Sequence, residues 1–427
     1  MLAFAVTVAF LKLNSLNSIQ KEFYSYLSKP DDSFHYDTVR NGDSTEFELT
    51  SQTWQGHPWK HKVVFSDFKT PLKKGLGVIF ITGNGPNPND RILMKAVNRS
   101  VQLPSAFLFS IPNEPLYGLS EDDLIAYTFD KYLETGDSSW PLLFPMTKSV
   151  LRTMDMIEKE TQNTENPIHS FIIAGASKRG WTTWFTGASG DRRVKAIAPM
   201  VIDNLNLGQQ MKHQMELWGK FSEQIEPYTK RGLQEKFVTG GGRHLGEIVD
   251  PFTYRNQIKV PTLVITGSND PYWAADASSY YYPALRQPKW LVTVPNVGHN
   301  LGGGAEAIET FGAFCRAIAG QSDMPSEKWE VSEHNGIGRL KLKASGVPLK
   351  KITVWMATRE DFDFRLSRYE LVASKAIDGS NDVTLEYNLP TDKNASVFGE
   401  AVYGNDVTYR LCSPTKIFRA KKAKGSF

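Results

Sequence analysis

Residues 172–181 read Ile-Ile-Ala-Gly-Ala-Ser-Lys-Arg-Gly-Trp. A short apolar run, 170–174 (SFIIA), passes straight into a Gly-x-Ser turn at 175–177, and residues 179–188 then carry a helical pattern. An unbroken apolar run of this length fits a strand buried on both faces of a parallel sheet. A serine on a tight strand-to-helix turn is lifted clear of the sheet edge, and the crowded backbone there demands small neighbours. Gly175 supplies one. The second glycine, expected two residues after the serine, is replaced by Arg179, and Gly180 comes one place later. By itself the segment is equally a plain strand–turn–helix.

Working outward, similar apolar runs recur at 77–81 (GVIFI), 106–111 (AFLFSI), 194–202 (VKAIAPMVI), 261–266 (PTLVIT) and 290–294 (WLVTV). Helical patterns fall between and after them, at 90–101, 120–133, 144–160, 179–188, 275–284 and 305–319. Strands alternating with helices predict a doubly wound, mostly parallel sheet with helices on both faces. Ahead of it, 12–35 reads as helical and polar, the helix ending near 29–32 (KPDD), and 47–65 alternates like antiparallel strands. Residues 204–256 interrupt the rhythm with amphipathic stretches at 211–221 and 228–237 and no strand, as suits a helical lid. After 321–325 (QSDMP) the helix signals stop. Segments 338–344 (GRLKLKA), 351–357 (KITVWMA), 382–387 (DVTLEY) and 396–403 (SVFGEAVY) alternate between turn residues. They predict an all-β sandwich domain over about 325–418, with a basic tail to 427. The expected organisation is a leader or N-terminal helix over 1–20, an α/β domain over 21–320, and the β domain over 325–427.

The serine turn gains meaning from the segments downstream. In the α/β-hydrolase fold a nucleophile, an acid and a base come in the chain order Ser, Asp, His, each after a successive strand. Residues 261–270 (PTLVITGSND) are an apolar run ending in a turn at Asp270. Residues 290–299 (WLVTVPNVGH) are the next, ending in a loop at His299. Asp270 alone reads as a turn-forming Asp, and His299 alone as a loop histidine. Together with Ser177, in order and at successive sheet edges, they predict a triad. His299 would take the Ser177 proton and Asp270 would orient the imidazole. An oxyanion hole needs two backbone N–H groups. Lys178, next after the serine, offers one, and the turn 82–85 (TGNG), with Gly83 and Asn84, offers the other or is simply a turn. Lys178 and Arg179 have side chains that would bind a substrate carboxylate or form salt bridges across the fold. Glu114, after the run 106–111, would bind an amine or stand as an ordinary loop glutamate.

Composition narrows the classes. The chain has 427 residues, 41% of them hydrophobic, which is enough for a sizeable core. Its 49 basic and 46 acidic residues leave a net charge of +3. The one basic cluster is the tail, with Arg419, Lys421, Lys422 and Lys424, so no nucleic-acid partner is expected. Two cysteines, Cys315 and Cys412, exclude a disulfide-dense scaffold and a cysteine-based zinc module. The eight histidines show no metal spacing, and His213 and His244 read as ordinary residues. No cofactor or metal is expected. Residues 1–11 (MLAFAVTVAFL) are too short to span a bilayer. They resemble the apolar core of a secretory signal peptide, without a preceding positive charge, or the start of a buried helix. Secretion is the expectation and a cytoplasmic location the alternative. Sequons at Asn98 and Asn394 are compatible with export. No transmembrane span is expected.

The block 175–184 (GASKRGWTTW) also carries a resemblance. With 49–54 (LTSQTW), 111–116 (IPNEPL), 140–148 (WPLLFPMTK) and 267–272 (GSNDPY), it resembles the PhoPQ-activated pathogenicity-related protein family over about 25–415. The Ser-Lys-x-Gly turn is locally similar to glucuronoyl esterases. The family resemblance implies an α/β-hydrolase core, a C-terminal β domain and often export. It supplies no substrate, and it includes an extracellular signal that slows proliferation and repels cells. Two readings result. One is a serine hydrolase cutting an ester or peptide bond of a small molecule or peptide through an acyl-enzyme. The other is a secreted signalling protein whose hydrolase fold is a scaffold for a cell-surface receptor. The complete triad favours the first, since scaffolds of that kind often lose a member.

Overall fold

A computed structural model describes residues 18–41, 44–404 and 407–421. The apolar start over 1–11, most of the expected leader, and Lys422 and Lys424 of the tail lie outside the described residues. The first helix, α1 (Ser18–Ser28), buries Phe23 and Leu27 in the core. Full burial of a side chain such as Phe23 stabilises by about 1.5–3 kcal/mol. The helix stops at Ser28, just before the Lys29-Pro30-Asp31-Asp32 stretch where its end is expected, and a polar strand, β1 (His35–Asn41), which the sequence pattern does not anticipate, comes next. It pairs antiparallel with β2 (Ser44–Trp54), which pairs with β3 (His57–Ser66).

The apolar runs then become β4 (Leu76–Ile81), β5 (Ser105–Leu108), β6 (Ser170–Ala176), β7 (Val194–Met200), β8 (Thr262–Gly267) and β9 (Lys289–Val294). The nine-stranded order is β1-β2-β3-β5-β4-β6-β7-β8-β9. Strand β3 pairs antiparallel with β5, and every pairing from β5 to β9 is parallel. Crossovers are α2 (Pro88–Val101), α3 (Glu121–Thr135), α4 (Leu143–Thr161) and α5 (Lys178–Ala188), and α10 (Ala305–Ile318) follows the last strand. This is the α/β-hydrolase fold. Alternate residues of the central strands serve its two faces. Ile79 and Ile173 join α1, α4 and α5 in one core, and Val78 and Ile172 join α2 and α10 in the other. Helix α2 opens on an Asn87 capping box, and Ser100 on it donates to the Ile308 carbonyl of α10 at 2.9 Å.

Between β7 and β8 the insertion holds α6 (Leu207–Trp218), α7 (Glu226–Thr229), α8 (Leu233–Lys236) and α9 (Gly240–Val249). The helix expected at 275–284 is instead two short 3₁₀ turns, Ala277–Tyr280 and Tyr282–Ala284. Tyr281 breaks the stretch at φ −133°, and Pro283 removes a backbone donor, so no continuous α-helix forms there.

Beyond α10 the chain is all β: β10 (Ser326–His334), β11 (Ile337–Ser345), β12 (Leu349–Arg359), β13 (Glu370–Ala376), β14 (Asp382–Asn388), β15 (Asn394–Tyr403), β16 (Tyr409–Cys412) and β17 (Lys416–Phe418). These form a sheet β10-β11-β14 and a sheet β13-β12-β15-β16, with β17 on β15. The sheets meet face to face: a Cβ on Gly399 of β15 would lie 2.6 Å from Leu340 of β11. Leu340, Ile352 and Val397 share one apolar cluster with Phe314 of α10 and Val292 of β9, so this module is welded to the hydrolase core. Cys315 and Cys412 are free, buried thiols. Asn394 is buried and donates to the Glu360 and Asp361 carbonyls, which closes that sequon to a glycan. In the tail, Lys421 pairs with Glu333 and Arg419 lies over the Phe362 ring, so neither is a free charge. Among the described residues no helix is long and apolar enough to cross a membrane.

Candidate active site

Ser177 sits between the last residue of β6 and the first of α5, at φ 59° and ψ −129°. This is a strained conformation for a residue with a side chain, and it persists only where surroundings enforce it. The enforcing contacts are visible. Ser177 N–H donates to the Met200 carbonyl at 2.9 Å, and its own carbonyl accepts from Trp181 N–H at 2.9 Å. A Cβ on Gly175 would lie 2.7 Å from the Arg179 carbonyl oxygen, and one on Gly180 would lie 2.7 Å from that of Met200. The Lys178 N–H stands in the first turn of α5, where no intrahelical acceptor exists.

Asp270 and His299 lie just past the ends of β8 and β9. His299 Nδ1 lies 2.8 Å from Asp270 Oδ2. A carboxylate accepts only, so Nδ1 carries the proton and Nε2 presents a lone pair. Asp270 is 5% exposed, and its other oxygen accepts from Tyr272 N–H at 3.0 Å. The Tyr272 ring stacks on the imidazole at a centroid distance of 4.3 Å. Nε2 is buried and has no partner among the described residues, and His299 and Ser177 line the same cavity. No hydrogen bond joins Ser177 Oγ to Nε2 among the described residues. Such contacts commonly close only with substrate bound.

The cavity has an empty volume of about 560 Å³, open mouth included. Its floor is Trp181 and Ile202, and the insertion roofs it with Met211, Ile225, Tyr228 and Phe237. A mostly apolar concavity of this size with a few polar groups is the usual form of a small-molecule site.

Beside it lies an ion cluster that sequence reasoning saw only in part. Lys178 Nζ is paired with Glu121 and lies 3.3 Å from Asp122. Arg179 makes a two-pronged bond to Glu121, at 3.1 and 2.9 Å, and also donates to the Ile111 carbonyl. Both cations are almost fully buried, so their side chains take the cross-fold salt-bridge role and are not free to meet a substrate carboxylate. Glu114, whose side chain is wholly covered, accepts from Glu121 N–H and lies 3.5 Å from Arg179. Burial and the neighbouring Glu121 carboxylate push the Glu114 pKa up to about 7. Despite burial, Arg179 and then Lys178 hold Glu121 well below the usual carboxylate range. Asn84 donates to Glu114 at 3.4 Å, and Gly83 packs on the Arg179 guanidinium. Gly83, Asn84, Glu114 and Arg179 therefore form a block adjoining the cavity and do not line it. Glu121 and Asp122 were missed because Glu-Asp-Asp at a helix start is ordinary dipole complementation.

The C-terminal module reaches the site. Asn269 Nδ2 contacts the Phe364, Arg365 and Ser367 carbonyls at 3.1, 3.2 and 2.6 Å. Arg365 pairs with Glu223 of the insertion at 2.9 Å, lies over the Trp218 ring at 4.2 Å and reaches the Pro271 carbonyl at 3.5 Å. The loop between β12 and β13 thus clasps both the acid turn and the insertion. His213 and His244 serve structure: His213 bridges Asp276 and Tyr280, and His244 pairs with Glu22. Among the described residues no group of three or more His, Cys, Asp or Glu side chains could hold a metal ion.

Residues 24–365 match the profile of the family described as PhoPQ-activated pathogenicity-related protein. The chain is 31% identical over 379 residues to autocrine proliferation repressor protein A of Dictyostelium discoideum, covering 80% of this chain and 75% of that protein. Solved structures similar to it include acetyl xylan esterase 1 from Thermoanaerobacterium sp., with a TM-score of 0.44 at 13% identity, over 70% of this chain and 93% of that one. Another is an acetyl xylan esterase from Paenibacillus sp. R4, with a TM-score of 0.48 at 14% identity, over 69% and 92%.

Proposed function

This chain belongs to the PhoPQ-activated pathogenicity-related protein family, and from that premise and the geometry above we propose that it is a serine hydrolase. Ser177 is the nucleophile, His299 the general base and Asp270 its orienting acid. The observation that carries the reading is His299: Nδ1 is fixed on the buried Asp270, and Nε2 is unpartnered beside the Ser177 cavity. Ser177 Oγ attacks the carbonyl carbon of an ester or peptide bond as Nε2 takes its proton. The oxyanion meets the Lys178 N–H, a first-turn donor of α5 that no helical carbonyl claims. Nε2 returns the proton to the leaving group, the bond breaks, and water releases the acyl-enzyme by the same route.

A fluorophosphonate probe tests this. Wild-type protein is expected to be labelled and Ser177→Ala to be blank. Folded wild-type protein that stays unlabelled refutes the catalytic reading. In that case the second reading stands: a secreted signal that binds a cell-surface receptor through this scaffold. It is favoured by the name of the Dictyostelium relative and by the apolar start of the sequence.

A further inference from the structure

One carboxylate holds both residues that follow the nucleophile. Glu121 Oε2 accepts from Lys178 Nζ and, at 3.1 Å, from Arg179 Nη1, while its Oε1 accepts from Arg179 Nη2 at 2.9 Å. The two side chains it grips are nearly buried, at 6% and 10% exposure, whereas its own stands at the rim, at 48%. Buried cations must have their donors met. The other carboxylates near these two stand farther off: Asp122 lies 3.3 Å from Lys178, and Glu114 lies 3.5 Å from Arg179.

Glu121 is itself held in place. Its backbone is left-handed, at φ 54°, an uncommon conformation for a residue with a side chain. Its N–H donates to Glu114 Oε2 at 2.6 Å. Against the effect of burial, Arg179 and Lys178 hold its carboxyl well below the usual carboxylate range, so it carries its charge throughout the neutral range. A strained residue thus grips the elbow of another, since Ser177 sits at φ 59° directly before Lys178 and Arg179. Strained backbone persists only where its surroundings over-determine it. Met200 and Trp181 hold the peptide groups of Ser177 from β7 and α5. Glu121 holds the next two residues from a third element, α3.

We infer that Glu121 is a positioning residue for the nucleophile. By gripping Lys178 and Arg179 together it sets the first turn of α5, and with it the direction of Ser177 Oγ and of the Lys178 N–H. The inference rests on the serine-hydrolase reading and adds to it a group that is outside the triad and does not line the cavity. Asp123, two residues on, is not equivalent: it pairs with Lys230 of the insertion and forms no ion pair with either cation among the described residues.

The experiment compares Glu121→Gln, Glu121→Asp and Asp123→Asn with wild type on the full chain, with p-nitrophenyl butanoate as ester and a fluorophosphonate as label. Glu121→Gln is expected to lose about 10- to 100-fold in kcat and in labelling rate, the span of a displacement of up to about 1 Å at a reacting group, with KM kept within about threefold. Glu121→Asp keeps the charge on a shorter stem and should fall between Glu121→Gln and wild type. Asp123→Asn removes the same charge from the same helix end and should keep its kcat. Wild-type kcat in Glu121→Gln, a loss confined to KM, an equal loss in Asp123→Asn, or a Glu121→Asp protein no faster than Glu121→Gln overturns the inference. Should Glu121→Gln not fold, Glu121→Asp decides: a reduced kcat at unchanged KM supports the inference, and a wild-type kcat overturns it. Hydrogen exchange over residues 175–184, read by mass spectrometry, keeps the two proposals apart. Exchange there should quicken in Glu121→Gln and not in Asp123→Asn, and unchanged exchange overturns the positioning role. Wild-type protein that shows this response but takes no label refutes the hydrolase reading alone.

Discussion

Asn269 precedes the acid and ties its turn to the C-terminal module, so Asn269→Ala tests whether that module positions the site. The side-chain amide has two hydrogens but three carbonyls within reach, at 3.1, 3.2 and 2.6 Å. It therefore makes about two effective bonds, worth together about 1–3 kcal/mol. Removing the amide also leaves the Ser367 carbonyl without that partner. Stability is expected to fall by about 2–3 kcal/mol by chemical denaturation. The catalytic effect is a separate quantity. Asp270 Oδ2 holds His299 Nδ1 at 2.8 Å, and a displacement of about 1 Å at such a pair costs on the order of 10²-fold in rate. A drop of roughly 10- to 100-fold in the fluorophosphonate labelling rate and in ester kcat/KM is expected. It should stay below the ~10⁴-fold loss seen when a triad Asp becomes Asn. Arg365→Ala is the control. Its guanidinium meets Asp363 of its own loop, Glu223, the Trp218 ring and only the Pro271 carbonyl of the acid turn, so its loss should loosen the insertion and alter KM more than kcat. Wild-type labelling rate and unchanged stability in Asn269→Ala would refute the positioning argument.

Two further outcomes are expected from the structure. Gly175→Ala puts a Cβ 2.7 Å from the Arg179 carbonyl oxygen and 3.0 Å from Thr183 Oγ1. Backbone must shift there, so labelling should fall at least 100-fold and stability by about 1–3 kcal/mol, as for overpacking; a normally labelled Gly175→Ala protein would contradict the crowding described at the elbow. Stability should also peak on the acid side of neutrality. Burial raises Asp203 to about 6, with the Asp270 charge adding to it, and burial raises Asp250 to about 6 and Glu327 to about 7. Each favours the fold while protonated, so its contribution is lost as pH rises towards 6 to 7. Glu223, held down to about 2 by hydrogen bonds from Lys220 and Arg365, contributes in the opposite sense and is lost as pH falls below about 4. Denaturation midpoints should fall as pH rises from 4, most steeply between about 4 and 7, and Asp203→Asn should flatten that fall. A midpoint that rises steadily to pH 8 would contradict this.

The central sheet was legible because each strand is a continuous apolar run bounded by turn residues, and because Ser177, Asp270 and His299 each sit a few residues past such a run. The features missed are those without a local signal. Strand β1 reads His-Tyr-Asp-Thr-Val-Arg-Asn: it is a polar edge strand, and only its pairing with β2 makes it a strand. The pairing of Arg179 with Glu121 spans 58 residues, and that of Asn269 with Ser367 spans 98. No periodicity encodes either.

The departure from the usual serine motif has a physical account. The need for small residues is set by where backbone meets backbone, and in this chain those positions are Gly175 and Gly180. Gly175 faces the Arg179 carbonyl, and Gly180 faces the carbonyls of Met200 and of Gly175 itself, at 2.7 and 3.0 Å. Position 179 is crowded through its backbone but not through its side chain. The Arg179 side chain leaves α5 towards the end of β4, where Gly83 makes room: a Cβ at Gly83 would lie 2.7 Å from its Nη2. The space given up at 179 is recovered at 83, across the sheet. The guanidinium so placed is fixed by Glu121, Glu114 and the Ile111 carbonyl, and it ties the segment after β5, α3 and α5 together beside Ser177. A buried cation is tolerable only when its donors are met in this way. The longer step from the serine to its second glycine is therefore an alternative solution to the same crowding, with an ion-paired arginine built into the elbow where a glycine usually stands.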